Sequence, residues 1–281
     1  MPDFGSFRGF GEKLVAGQLP TQLGLIGSSS FGFDPDAQAF FDRVIAAGGS
    51  LSGNEQSAVN QLVLNMKSAG IWTAMKAIYP MVGASAAACS RNLKSDDFNG
   101  TFASGASFSS GGYDPNGSGY MDTTLVPNGN LLQNSVHLAQ YFPVKPNDAV
   151  QIGVADSGFN NSLYAIWNVP GLGIISRINQ AVDTFFGQTG LPNGLGIVTR
   201  TASNVSKYYS NNSLIATSTG FSQGLASFSI TLGGRNVAGN ITDKSTGIQS
   251  FVSIGDGLTD TQASNLYTAV QAFQTTLGRQ V

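Results

Sequence analysis

Between residues 97 and 255 the chain repeats one pattern: a few residues in which apolar and polar side chains alternate, then a turn signal such as NG, GG, DPNGSG, PNGN, DSG or LPNG. A period of two sends successive side chains to opposite faces of an extended strand, and glycine, proline and asparagine supply the backbone angles a reversal needs. The candidate strands are 101–109, 119–124, 134–142, 148–155, 161–168, 195–201, 204–209, 212–218, 225–232 and 248–254. About ten strands at this spacing predict an antiparallel β-sandwich or barrel. SKYYSNNSLIATST reads as a hairpin with Asn211 and Asn212 at its tip, because asparagine tolerates the positive φ of a tight turn. GLGIISRIN at 171–179 and GLPNGLGIVTR at 190–200 have glycine pairs but no complete phosphate- or dinucleotide-binding context, and are expected to be turns.

Helical signals flank this body. Asp34 and Pro35 supply an N-cap and a proline at the first helical position, Phe40, Phe41, Val44 and Ile45 form a stripe, and Gly48-Gly49 ends it. Ser52 and Glu55 fit a capping box ahead of Ala58, Val59, Leu62, Val63 and Met66, with Gly70 closing that helix. IWTAMKAIY, 71–79, predicts a third short helix that stops at Pro80. The best-specified helix comes last: Thr259 and Gln262 form a second capping box, Ala263, Leu266, Tyr267, Val270, Phe273 and Leu277 make one face, and Gly278 stands at the C′ position. Residues 1–32 carry seven glycines interleaved with Phe4, Phe7, Phe10, Leu14, Leu19 and Leu23. Ordering so glycine-rich a backbone costs more than these scattered side chains return, so the segment reads as an arm that docks on something else. The expected organisation is an arm over 1–32, a helical segment over 33–82 packed on the sandwich, and the sandwich with its closing helix over 83–281.

Charge narrows the function. Only 11% of residues are charged and the net charge is -2, which leaves no basic field for nucleic acid or an anionic membrane surface. No basic-then-apolar leader pattern opens the sequence and no apolar run is long enough to span a bilayer. The single cysteine, Cys89, sits among alanines and reads as a small buried hydrophobe.

The hairpin YYSNNSLIATS followed by IGDGLTD and a capped helix resembles the laminin-G-like, concanavalin-A-type jelly roll. More narrowly, three segments in the same order resemble head- and tail-fibre-type structural proteins of bacteriophages, frequent among phages of Bacteroidetes. They are FDPDAQAFFDRVIAAGGSLSGNEQSAVNQLVLNMKSAGIWTAMKAIYPMVG, PNGSGYMDTTLVPNGNLLQNSVHLAQYF and IGDGLTDTQASNLYTAVQAFQTTLGR, together spanning 33–279. The resemblance implies a mainly β sandwich with a terminal helix, a virion location, other virion proteins as partners through the arm, and a homo-oligomer, a trimer being the common fibre form. Laminin-G-like folds often hold calcium, and YDPNGSGYMD and DSG offer hard oxygen ligands, though neither has EF-hand spacing. Where that family's closing turn usually carries Glu, this chain has Gln262.

Catalysis finds little support in the residues. Concanavalin-A-type glucanases need paired carboxylates on one strand, yet the only glutamates here are Glu12 and Glu55, in the arm and a helix cap. The aspartates lie mainly at turns, where they act as local caps. His137 is the only histidine and no G-x-S-x-G elbow accompanies it, so a strand histidine held by packing or hydrogen bonds is expected. No catalytic residue and no cofactor is assigned. What remains is binding: sugar-recognising sandwiches place an aromatic ring against a pyranose with amides nearby on rim loops. Tyr113, Tyr120, Trp167, Tyr208 and Tyr209 are the candidate glycan contacts. The expected role is a non-enzymatic virion component decorating a phage head or forming part of a tail or fibre. A receptor-binding lectin recognising host surface glycans and a polysaccharide depolymerase are the alternatives.

Overall fold

The computed structural model describes residues 32–144, 146, 149–169, 173–185 and 193–281, and only the backbone of 166–169. The docking residues Phe4, Phe7, Phe10, Leu14, Leu19 and Leu23 lie outside the described residues.

In chain order the elements are helices α1 (Pro35–Ala46) and α2 (Gly53–Ser68), strand β1 (Met75–Tyr79), and the short helix α3 (Ala86–Cys89). Then come β2 (Thr101–Phe102), β3 (Ser107–Ser109), β4 (Gly112–Asp114), β5 (Met121–Asp122), the helical turn α4 (Pro127–Asn130), β6 (Val136–Phe142), β7 (Ile152–Ala155), β8 (Ser162–Val169) and β9 (Gly173–Ile178). The chain closes with β10 (Thr184–Phe185), β11 (Gly194–Ala202), β12 (Val205–Ser210), β13 (Ser213–Ser218), β14 (Thr231–Leu232), β15 (Arg235–Val237), β16 (Asn240–Thr242), β17 (Phe251–Gly255) and α5 (Asp260–Thr276).

Two sheets carry the architecture. The first runs β1-β17-β6-β11-β12-β13; the second runs β10-β9-β8-β7-β14-β5-β2, with β15 and β16 beside β7. The strands of the first sheet pair antiparallel throughout, and β15 with β7 is a parallel contact in the second. Alternation sorts the core. Val136, Leu138, Val198, Tyr208, Val252 and Ile254 of the first sheet meet Ile152, Val154, Leu163, Ile174 and Leu232 of the second. The next residues along the same strands, Ala139, Tyr141, Ile197, Tyr209 and Phe251, face the other way and pack under α1, α2 and α5. The first sheet is therefore covered on both faces, which is why β6 is buried along its whole length. Phe40, Val59, Leu62, Met66, Leu266, Val270 and Phe273 supply the helical side of that second core. Each such side chain contributes about 1.5–3 kcal/mol of apolar transfer.

The mainly β sandwich with a preceding helical segment and a C-terminal helix is the fold that the sequence patterns predict, with two long helices in that segment where three short ones were expected. Both capping boxes are formed, Gly278 has φ +67 in its C′ position, and Asn211 and Asn212 have φ 43 and 68 at the hairpin tip. Ile45 departs from its stripe and is exposed.

Four local expectations are corrected. Residues 71–79 are not a helix: a 3-10 turn at Trp72–Ala74 leads into β1, which pairs with β17. A β-bulge between Met75 and Ala77 puts Met75 and Ile78, three residues apart, on the helix-facing side, and that spacing imitates helical periodicity in the sequence. The sandwich accordingly begins within the segment read as helical. Residues 173–178, expected as part of a turn, form β9, whose Ile174 and Ile178 point into the inter-sheet core. The run 101–109 is broken by a turn at Gly105 into β2 and β3, and of 225–232 only Thr231–Leu232 pairs as a strand.

Candidate functional site

His137 belongs to the scaffold. Its Nδ1–H donates to the carbonyl of Asp256 at 2.6 Å and its Nε2 faces the Ser253 hydroxyl at 3.1 Å. Burial pushes its pKa down to about 4. Cys89 is buried beside the carbonyl of Val82 at 3.4 Å, and burial pushes its thiol up to about 12. The turn aspartates act as caps: Asp114 accepts from the amides of Asn116 and Gly247, Asp122 from Thr124, and Asp156 from Asn160 and Asn161. These hydrogen bonds engage the carboxylates in YDPNGSGYMD and DSG with nearby backbone amides, Gly247 being the one partner from outside the local turn, and no group of three acidic, histidine or cysteine side chains gathers among the described residues.

The candidate glycan contacts separate. Tyr113 is buried between Phe102 and Phe108, Tyr208 lies in the inter-sheet core and Tyr209 in the helix-facing core. None of the three presents a ring face to solvent, because strand alternation placed each on an inward side. Tyr120 is half-buried with the Lys244 ammonium 5.5 Å from its ring. The Trp167 side chain lies outside the described residues.

A different aromatic occupies the expected setting. At the end of the sandwich where β6 and β12 begin and β9, β11 and β13 end, three loops converge on Arg200, which has no exposed surface. Its Nε donates to the carbonyl of Ile178 at 2.6 Å, Nη1 to the carbonyls of Ser203 and Gly220 at 2.8 and 3.0 Å, and Nη2 to the Gln180 side-chain oxygen at 2.6 Å. One guanidinium thus ties the loops at 178–180, 202–203 and 219–220 together, and burying it is tolerable only because its donors are met. Gly257 lies against the strand that carries Arg200: a Cβ there would lie 2.0 Å from the backbone oxygen of Arg200.

Amides extend this frame. Gln180 donates through Nε2 to the carbonyl of Val182 and the hydroxyl of Thr184, both at 2.6 Å. Asn179 donates to the carbonyl of Gln133 at 3.0 Å and accepts at its own carbonyl from Gln223 at 2.6 Å. Ser222 donates its hydroxyl to Asn134 at 2.5 Å and accepts from Gln133 at 3.2 Å. On this frame stands Phe221, 69% exposed, with Leu132 and Val182 exposed on the flanking loops. The arrangement offers an exposed apolar ring next in sequence to Ser222, whose hydroxyl holds the side chains of the exposed Gln133 and Asn134. Its backbone is held by hydrogen bonds to a buried cation, not by ligand.

The sequence reading missed both key residues, and each left a signal. Arg200 falls on the same strand face as Val198, a polar residue at a core position. Phe221 interrupts STGFSQG, an otherwise small and polar loop.

Two other places fit a ligand less well. On the outer face of the second sheet, Arg235 lies 4.8 Å from the ring centroids of both Phe159 and Tyr164 and pairs with Asp243. Arg177 pairs with Asp183 at 2.9 Å, and Asp183 also accepts from the Tyr164 hydroxyl. The guanidinium of Arg235 sits where a sugar ring would stack, so this cluster braces β15 against the sheet. A cavity of about 590 Å³ at the start of α2 is lined by Ser52, Asn54, Glu55, Gly83 and Ala84. The Glu55 carboxylate there already accepts from Gly83 and Ser52.

No protein-family model matches the chain, and no curated protein matches it. Solved structures do. Domain 4 of AbnA, a GH43 extracellular arabinanase from Geobacillus stearothermophilus, solved with arabinotriose, superposes with a TM-score of 0.52 at 15% identity, covering 69% of this chain and 98% of that domain. The Trypanosoma rangeli sialidase solved with sialic acid gives 0.49 at 11% identity over 74% of this chain and 38% of its own. The NanB sialidase of Streptococcus pneumoniae gives 0.39 at 17% identity over 48% and 24%. At these identities the arabinanase domain speaks to the fold alone: a β-sandwich of the jelly-roll type.

Proposed function

We propose that the protein is a non-catalytic glycan-binding sandwich module whose site is the rim around Phe221. The observation that carries this reading is the exposed Phe221, preceded by Gly220, which Arg200 holds, and followed by Ser222, which is bonded to Gln133 and Asn134. An exposed ring covers the apolar face of a pyranose, while fixed amides read hydroxyls, and a rigid frame lowers the ordering cost of binding. The arabinotriose bound by domain 4 of AbnA supports the reading through shared architecture. The exposed residues of the rim, Leu132, Gln133, Asn134, Val182 and Phe221, carry no carboxylate, which supports binding over the paired-carboxylate hydrolysis used by most glycosidases. Screening the purified chain and Phe221→Ala on a glycan array tests it. Ligands retained by the parent and lost by a folded variant sustain the proposal; retention by both places binding elsewhere.

A second reading, a phage virion component held by the arm at 1–32, is supported by the three sequence segments that resemble head- and tail-fibre proteins. It is compatible with a glycan-binding rim, as in a receptor-binding adhesin. Mass spectrometry of purified particles tests it: stable copies in the virion sustain it, and a chain found only free in lysate refutes it.

A further inference from the structure

Among the described residues two arginines are almost wholly buried, and they differ in one respect. Arg279 is 8% exposed and donates to the carbonyls of Met81, Pro80 and Ser250, and the carboxylate of Glu55 acts on its charge. Arg200 is 0% exposed, and every hydrogen bond it makes to a described residue goes to a neutral oxygen: carbonyls of Ile178, Ala202, Ser203 and Gly220 and the amide of Gln180. Its titration is lowered by burial, with no neighbouring charge contributing among the described residues. The described aspartates on the same end of the sandwich are engaged elsewhere: Asp183 by Arg177 and Tyr164, Asp156 by the amides of its own turn, Asp256 by Lys76 at 3.8 Å, and Asp260 by Lys207 and the Tyr209 hydroxyl. The Arg200 side chain is thus hydrogen-bonded without being neutralised. Carbonyl oxygens satisfy donors, but they leave a full positive charge beneath the rim, where low polarisability lets its field reach the surface. The residues on and beside the loops it ties, Leu132, Gln133, Asn134, Phe221 and Ser222, are all uncharged.

We infer that the rim selects an anionic glycan, one bearing a carboxylate or sulfate group, with Phe221 stacking on the sugar ring and the buried charge of Arg200 supplying the electrostatic preference. This rests on the rim being the binding site. It adds that the missing counter-charge is brought by the ligand. The whole chain has net charge -2, so its overall field does not favour anions, and such a preference has to arise locally.

The probes are a panel of uronate- and sulfate-bearing oligosaccharides together with their carboxyl-reduced and desulfated counterparts. They are titrated calorimetrically into the full chain at low and at about 0.3 M salt, with Phe221→Ala alongside. Removing Arg200 would endanger the loops it ties, so the charge is probed through ligand and salt. The expected result is a charged member binding roughly tenfold or more tighter than its neutral counterpart, the size of one charge acting across about 10 Å at an effective dielectric near 20. That ratio should shrink with salt, and both affinities should fall in Phe221→Ala. Equal or tighter binding of the neutral partners, still lost in Phe221→Ala, overturns the anionic preference and leaves the rim as a neutral-sugar site. Binding indifferent to Phe221→Ala, or silence across the whole panel, overturns the preference together with the rim reading beneath it.

Discussion

The solitary histidine makes one electrostatic prediction unusually clean. His137 is fully buried, and burial lowers its pKa from the ordinary 6.5 to about 4. The folded state therefore refuses a proton that the unfolded chain accepts, so stability is full above about pH 6.5 and declines as the pH falls towards 4. Across that whole window the loss amounts to about 3 kcal/mol, and between pH 7.5 and 5.0 it is about 2 kcal/mol. Carboxylates held low in the fold begin to act only nearer pH 4, which separates the two effects. The assay is urea unfolding at half-unit pH steps for the parent and for His137→Asn, whose side-chain N–H can still reach the carbonyl of Asp256. The substitution removes the titrating group while keeping a donor, so the variant should lose some stability at neutral pH and nearly all of the slope. A flat parent profile down to pH 5, or the same slope in the variant, would refute the burial argument.

Other expectations follow from the same geometry. Glu55 accepts hydrogen bonds from the amides of Gly83 and Ser52 and the hydroxyl of Ser52, at 2.7, 2.8 and 2.8 Å, and its carboxyl is held below the usual range. Glu55→Ala should cost about 2 kcal/mol by chemical denaturation, and the parent's advantage should fade as the pH drops below about 4. Gly257→Ala places a Cβ 2.0 Å from the carbonyl oxygen of Arg200 and should destabilise by about 2–3 kcal/mol in thermal or urea unfolding. Cys89, with its thiol pushed up to about 12, should resist alkylation in the folded protein and react at once in urea, read by intact mass.

How much of this was legible in the sequence follows from the range of the interactions involved. Caps, the two-asparagine hairpin and the terminal helix are set by residues within a few positions of one another, and they were readable. β1 was not, because its bulge gives Met75 and Ile78 a helix-like spacing and only the partner strand β17, far along the chain, decides for a strand. Three of the candidate glycan contacts point inward for a related reason. Tyr113, Tyr208 and Tyr209 lie close to polar turns in sequence, but strand alternation turns all three rings inward. The rim proposed here depends on loops from three parts of the chain meeting at Arg200, a convergence no local pattern encodes.

The most direct measurement is a glycan-array comparison of the parent with Phe221→Ala, each first shown to be folded by thermal unfolding. Phe221 is 69% exposed, so its removal should shift stability by no more than about 0.5 kcal/mol. Truncating a stacking ring should weaken binding by roughly tenfold or more. A parent that binds and a stable variant that does not is the predicted result. A parent that binds nothing, or a variant that binds as well as the parent, would contradict the account of the rim.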